Sequence, residues 1–345
     1  IMNDGSFAQY SMNYHRLMLD TISMSEYWRL KFNDKKFSSK WYKKAILATN
    51  WLTELIDPNT GYTPNLGSND GARIFVLYKS SYRDFRPTAH FASILFKNCS
   101  PFEKGEWDEL SFWLKIEDHP QPAAAAAAAA AAKRSTILFP TGGYIKLTAD
   151  QATWGVFRLP NFSFRPNHSD ALHFDLWRNG INWLRDGGTY SYNTDEKWLK
   201  YFPGTSSHST IQFDDRDQMP RLGRFLFGHW LRYDQLFFNS NNPNTATASY
   251  IDYLGAQHSR TIDLQSNYCT IIDEVSGFNQ KSILRLRLPP INWKLNLNSI
   301  ASEECLIEVI CDQKIFRSEL VIGYESLHYD EITSIPVFEI ETQIS

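Results

Sequence analysis

The apolar positions of this chain follow two different periods. Over residues 7–30, Tyr14, Leu17, Leu19, Ile22, Tyr27 and Leu30 recur at mixed three- and four-residue spacing, with no proline and no glycine after Gly5. That is the spacing of a helix with one buried face. Residues 40–56 repeat it behind Ser38 or Ser39, either of which supplies a capping hydroxyl, and Asp57-Pro58 stops it. Two more helices are expected over 86–97 and 102–116, joined by loops bearing Gly, Asn and Pro such as 59–71. Residues 1–118 therefore read as antiparallel helical hairpins packed side by side.

From Lys133 onward the period shortens. Runs such as Thr136-Ile137-Leu138-Phe139, Tyr144-Ile145-Lys146-Leu147, Trp154-Gly155-Val156-Phe157 and Ile283-Leu284-Arg285-Leu286 recur, separated by Gly, Pro, Asn and Asp. Across 171–177, Leu172, Phe174 and Leu176 alternate with His173, Asp175 and Trp177, the period of a strand buried on one face. Asn179-Gly180 suits a two-residue hairpin turn, 181–185 is the returning strand, and 209–213 is a further one. Residues 136–345 are expected to be an antiparallel β-sandwich. The connection, 119–135, contains ten consecutive alanines from Ala123 to Ala132. So uniform a run in so varied a sequence is taken to stand for residues of unassigned identity and carries no functional argument.

Composition narrows the function classes. A chain of 345 residues has room for two domains with real cores. Aromatic content of 15%, with 11 Trp and 17 Tyr, suits sugar-binding clefts, where ring faces stack on pyranoses, and equally suits a large sandwich core. A net charge of −3 without a Lys/Arg run excludes a general attraction for nucleic acid. The four cysteines have no CxxC spacing and leave the redox compartment open, although Cys305 and Cys311 are close enough to be cross-strand neighbours. No run is long and apolar enough to span a membrane, and no signal peptide is visible. Ile1 falls inside what reads as an ongoing helix, so the chain is expected to be a fragment.

The candidate chemistry concentrates in residues 164–218. His168, Asp186 and His208 stand at the ends of strand-like runs and offer two imidazoles and a carboxylate, a donor set suited to tetrahedral zinc. The order His168-Ser169-Asp170, Asp186-Gly187-Gly188-Thr189-Tyr190 and Ser206-Ser207-His208-Ser209-Thr210, behind a helical half, resembles the heparinase II/III family of bacterial polysaccharide lyases. The segment from Asp4-Gly5 through Ser11 to Tyr14-His15 resembles a second motif of that family, D-G-x-x-x-x-x-S-x-x-Y-H.

The resemblance implies an α+β multidomain chain: residues 1–118 as the C-terminal part of an incomplete (α/α) toroid, stacked on the antiparallel β-sandwich, with substrate between them. It implies a periplasmic lyase that cleaves a uronate-containing anionic glycan by β-elimination. The C5 proton of a uronate is weakly acidic, so the carboxylate must be neutralised, a base must take the proton and an acid must protonate the leaving oxygen. Tyr14 falls at the family's acid/base position, and His15 ranks behind it because adjacent residues diverge by about 100° on a helix. Asn13, Arg83, Arg86, Arg165 and Asn167 are the candidates for substrate contact. His168, Asp186 and His208 fall where some members hold a structural zinc.

Two departures stand out. The Asn or Asn-His pair that neutralises the carboxylate in the family would precede Ile1. At the usual catalytic histidine position this chain has Pro166, which cannot transfer a proton. That favours, as alternatives, a non-catalytic protein of polysaccharide binding or surface-polysaccharide assembly, or a glycoside hydrolase using carboxylates such as Asp70 and Asp84. Heparan sulfate, alginate and a bacterium's own surface glycan all remain open as substrates.

Overall fold

A computed structural model describes residues 1–116, 135–238 and 242–344; the alanine run lies outside the described residues. The first helix, α1 (Met12–Lys31), begins later than its apolar pattern suggests. Ser11 is extended and its Oγ accepts from the Tyr14 amide at 3.0 Å, which satisfies one of the free donors of the first turn. Residues ahead of it form turns, so Ile1 does not lie within a helix. Ser38 caps α2 (Ser39–Glu54) in the same way, at 3.2 Å from the Trp41 amide. In α3 (Arg86–Lys97) Pro87 occupies the first turn and Asn98 closes the end with a left-handed conformation.

The helix expected over 102–116 is reduced to a 3-10 turn, Glu106–Asp108, and the short α4 (Glu109–Trp113). Gly105 holds extended backbone at its start, and Lys115, at φ 53°, ends it. A last short helix, α5 (Glu196–Tyr201), lies among the strands. The three long helices pack against one another, and among the described residues they form a layer with no closed ring of hairpins.

The β half is antiparallel throughout its named strand pairs. One sheet runs in sequential order through β1 (Ile137–Phe139), β2 (Tyr144–Thr148), β3 (Thr153–Arg158), β4 (Phe174–Arg178) and β5 (Ile181–Leu184). Asn179 and Gly180 turn the chain between its last two strands with φ of 51° and 78°, the geometry an Asn-Gly hairpin is expected to take. After β6 (Ile211–Phe213) come the hairpin β7 (Arg221–Gly223) and β8 (Leu226–Phe227), then β9 (Gln235–Phe238), β10 (Thr245–Ile251), β11 (Gln257–Leu264) and β12 (Cys269–Ser276), which form a second sheet. The last strands are β13 (Lys281–Arg287), β14 (Lys294–Asn296), β15 (Ser299–Ala301), β16 (Leu306–Glu308), β17 (Ile315–Glu325) and β18 (Thr333–Gln343). A third sheet takes the order β17-β18-β13-β6, and β14-β15-β16 form a small one of their own.

The helical layer and the first sheet share one core. Trp51 of α2 packs edge-on against Phe139 and Tyr144, and Glu54 pairs with Lys146 at 2.9 Å. Asp57 accepts from the Trp154 indole at 3.2 Å, and Asp4 from the amides of Thr141 and Gly142 at 2.7 and 2.8 Å. These contacts tie α2, the loop after it and the turn at Asp4 to the first sheet and its loops. All four cysteines are free; Cys305 and Cys311 flank the two ends of β16 and do not face each other across strands as their spacing suggested. No helix among the described residues is long and apolar enough to cross a membrane.

Candidate functional site

A cleft of about 320 Å³ opens between the helical layer and the β half, lined by Gln9, Tyr14, Ser68, Phe164, Arg165, Asn167, Tyr192 and Phe225. Its helical wall is the first turn of α1, and its floor is the loop through residues 66–70. That loop is pinned to α1 at two points: the Met12 amide donates to Leu66 O at 3.1 Å, and Ser11 Oγ donates to Ser68 O at 2.5 Å. Gly67 permits the approach, because its φ is +73° and a Cβ there would collide with the Tyr10 carbonyl. The β wall is held by Tyr10, whose hydroxyl accepts from the amides of Ser163 and Phe164 at 2.7 and 3.1 Å.

Tyr14 projects into this cleft. Its hydroxyl donates to Asp70 Oδ2 at 3.0 Å and lies 3.0 Å from the Tyr192 hydroxyl. Burial, the Tyr192 hydrogen bond and the Asp70 charge all raise its pKa above the ordinary phenol value, so Tyr14 is protonated at neutral pH. Asp70 is held in turn: Asn13 Nδ2 and the Ala72 amide donate to its Oδ1 at 3.2 and 2.9 Å. Arg165 and Asn167 line the same cleft, and Asn167 Nδ2 donates to Gln9 O at 3.2 Å.

The other candidates sit elsewhere. His15 is fully buried on a different face of α1, stacked on Trp51 at 4.5 Å, with its Nε2 donating to Ala48 O at 2.9 Å. It packs the helical layer and does not reach the cleft. Asn13 is buried, and its Oδ1 accepts from Arg16 at 2.7 Å and from Tyr82 at 2.9 Å, while its Nδ2 positions Asp70. Arg83 stacks over Tyr62 at 4.2 Å and lines a separate small cavity with Asn13, Asn65 and Asn69. Arg86 is gripped by Asp84 at 2.9 Å and lies over the Trp107 ring at 3.8 Å, a loop tie at the start of α3.

His168, Asp186 and His208 come together. One ligand atom from each falls within 4.8 Å of the others, and all three residues are buried. His208 Nδ1 lies 2.8 Å from Asp186 Oδ2, while Asp186 Oδ1 accepts from the Gly188 amide at 2.7 Å. Burial alone would raise the Asp186 pKa, but His208, His173 and His168 outweigh it and hold the carboxyl well below its usual range. Burial, with His208 beside it, lowers His168 to about 4. His173, next to the strand β4, accepts from the Ser209 amide through Nδ1 at 2.9 Å, so Nε2 carries its proton. That nitrogen sits 3.6 Å from both Asp175 and Asp186.

Sequence reasoning passed over Tyr192, Phe164 and Phe225. Their contribution depends on loop conformation: Tyr190 takes φ 65°, and the β7–β8 hairpin carries Phe225 to 5.1 Å from the Tyr192 ring. Asp70 was singled out as a carboxylate for a hydrolase; its pairing with Tyr14 joins residues 56 apart and has no local signal.

A helical layer thus meets an antiparallel β half at a phenol-lined cleft. The chain belongs to the heparinase II/III-like family, whose C-terminal domain model matches residues 131–316. Among solved structures it resembles heparan sulfate lyase HepC from Pedobacter heparinus at 18% identity and a TM-score of 0.71, over 99% of this chain and 51% of that one. A heparinase III crystal structure matches at 15% identity and a TM-score of 0.69, over 100% of this chain and 53% of that one. The chain thus spans about half the length of these structures. A comparison with curated proteins gives no match.

Proposed function

We propose that this chain carries the cleft of a polysaccharide lyase acting on a uronate-containing anionic glycan by β-elimination in the bacterial periplasm. The observation that carries the reading is Tyr14: a phenol in a glycan-sized cleft, hydrogen-bonded to a carboxylate and to a second phenol, with Arg165 on the opposite wall. Arg165 is exposed and suits a substrate carboxylate, which must be neutralised before the C5 proton can leave. Phe164 and Phe225 offer ring faces for pyranose stacking. In this reading the helical layer is the part of an (α/α) toroid that closes over the substrate.

His168, Asp186 and His208 would hold a structural zinc. The donor set fits: two imidazoles and an ionised carboxylate are standard zinc ligands, and the buried His168 Nδ1 has no hydrogen-bond partner. When bound, the metal would crosslink the three β-half loops behind the cleft, and no proton transfer passes through it.

One observation favours a second reading. Pro166 stands where the family places an imidazole, as a cleft kept for glycan binding or assembly without catalysis would allow. Absorbance of the unsaturated product in the ultraviolet separates the two, because only elimination makes a C4–C5 double bond. With a panel of uronate glycans, the wild-type chain is expected to give a rising trace, and Tyr14→Phe to lower the rate by a factor of roughly 10² or more. A flat wild-type trace with glycan binding retained would establish the binding reading.

A further inference from the structure

We propose that the tip joining α1 to α2 is a docking surface for an anionic lipid bilayer, with its lysines on the headgroups and its apolar side chains in the interface. The inference stands apart from the lyase reading and concerns the end of α1 farthest from the cleft. Tyr14 lies in the first turn of α1 and Lys31 closes the last, about 25 Å apart along the helix axis.

The overall charge hides the patch. Between Trp28 and Lys44 the chain carries seven Lys or Arg against one acid, Asp34, a local charge of +6 within a chain of net −3. Arg29 is paired with Glu26 at 2.8 Å, and Lys44 donates to Met2 O at 2.7 Å. Lys35, Lys36, Lys40 and Lys43 are exposed and pair with no carboxylate among the described residues.

Apolar side chains stand among these cations. Phe32 is 75% exposed, Trp28 55% and Leu30 47%, and Phe37, stacked on Trp41 at 4.3 Å, is exposed as well. Residues 31–40 are all exposed, so the tip protrudes and encloses nothing. It is held in shape by its own bonds. The Asp34 amide donates to Arg29 O at 2.9 Å, Arg29 Nη1 to Asp34 O at 3.0 Å, and the Lys35 amide to Asp34 Oδ1 at 2.7 Å. Asn33, at φ 51°, turns the chain out of α1. The cations and rings are therefore presented ready to bind, with little ordering left to do.

The occupant of such a tip must be anionic and must also accept apolar side chains. A second copy of the chain would set +6 against +6 and is repelled. A glycan supplies anionic groups, but small ligands seat in concave sites, and Leu30 offers no ring to a pyranose. A bilayer supplies both needs: anionic headgroups attract each Lys, and the boundary beneath them takes Trp, Phe and Leu. Docked there, the chain keeps its cleft at the opposite end of α1.

The test is co-sedimentation of the full chain with vesicles of phosphatidylcholine alone and with about a third of the lipid replaced by phosphatidylglycerol. The expected result is binding to the mixed vesicles at least about tenfold tighter than to phosphatidylcholine, and weakened by salt. Lys35→Gln combined with Lys36→Gln should weaken it by roughly 20-fold, and Phe32→Ser by roughly tenfold. Lipid brominated in its acyl chains should quench tryptophan fluorescence, and quench it less in Trp28→Phe, because insertion brings the bromine to that ring. These variants change exposed side chains, and melting curves check that each one folds. Equal binding to both vesicle types, no binding to either, or variants that bind as wild type does would overturn the docking surface. So would polymannuronate that displaces the vesicles and is held alike by wild type and Phe32→Ser, which would make the patch a glycan contact. None of these outcomes bears on elimination, which is read separately from product absorbance.

Discussion

Tyr14 and His15 are adjacent on α1, about 100° apart round its axis, and meet opposite surroundings. A Tyr-His pair on a predicted helix was legible in the sequence; which of the two faced the cleft was a question of helix phase, settled by the packing of α1 on α2. The His15 ring is stacked on Trp51 with no aqueous contact, and burial lowers its pKa from 6.5 to about 4. A buried neutral histidine contributes stability that is full above the unfolded pKa and is lost as pH falls from near 6.5 toward 4. The magnitude is on the order of 3 kcal/mol across that window. Asp20 works in the other direction: burial raises it from 3.8 to about 7, so its contribution is full below the unfolded value and is lost as pH rises through that range. Wild-type stability is therefore a partial cancellation. Urea unfolding of wild type and His15→Phe at pH 7 and pH 4.5 should show the balance moving by roughly 2–3 kcal/mol in favour of the variant at the lower pH. An unchanged difference would mean that His15 is not buried as described.

At the scale of elements, the sequence was most informative where local chemistry and apolar period agreed. Ser38 and Asn179-Gly180 each mark a boundary that the structure keeps, because a cap and a two-residue hairpin need no distant partner. The long pair β17 and β18 escaped notice for the opposite reason. Pro336 interrupts one strand, and Phe316 and Ile322, at 63% and 74% exposure, put apolar residues on the solvent side of the other, which spoils alternation. The candidate zinc ligands were legible as residue types at strand ends, but their convergence depends on pairings between distant strands. Ser11 shows how one element sets the site. Its Oγ both caps α1 and holds the Ser68 carbonyl, so it fixes the loop carrying Asp70 relative to Tyr14. Ser11→Ala removes a cap worth about 1 kcal/mol and orphans a buried carbonyl at roughly another 1–3 kcal/mol. The variant should melt several degrees lower and lose kcat together with stability, measured by calorimetry and the elimination assay. A lower melting point with kcat intact would show that the 66–70 loop holds Asp70 without this tie.

The whole molecule shares its fold with lyases at 15–18% identity, so the pattern of buried positions, and not residue identity, is what the architecture requires. The sequence divides the chain at the alanine run, yet the described residues do not behave as two separate cores. Leu19, Ala48 and Leu52 of the helices belong to the same buried cluster as Ile145, Phe157 and Trp177 of the first sheet. Polar ties from Asp4, Glu54 and Asp57 cross the same boundary. Exposing either half would strip apolar surface from the other, at about 25 cal/mol per Å². Calorimetry should accordingly show one transition, and two resolved transitions would refute the shared core. At the candidate zinc site His168, Asp186 and His208 join loops before β4, after β5 and before β6. Metal that binds the folded state alone raises its stability by mass action. Metal analysis of the purified chain should find about one zinc per molecule, as a single closed site predicts. A chelator should then lower the melting point while the transition stays single, since the site is joined to the same core. His208→Ala should melt at the chelated value and no longer respond to chelator. If wild type carries no metal and its melting point ignores chelator, the three side chains are a hydrogen-bonded cluster, with Asp186 ionised between His208 and His173.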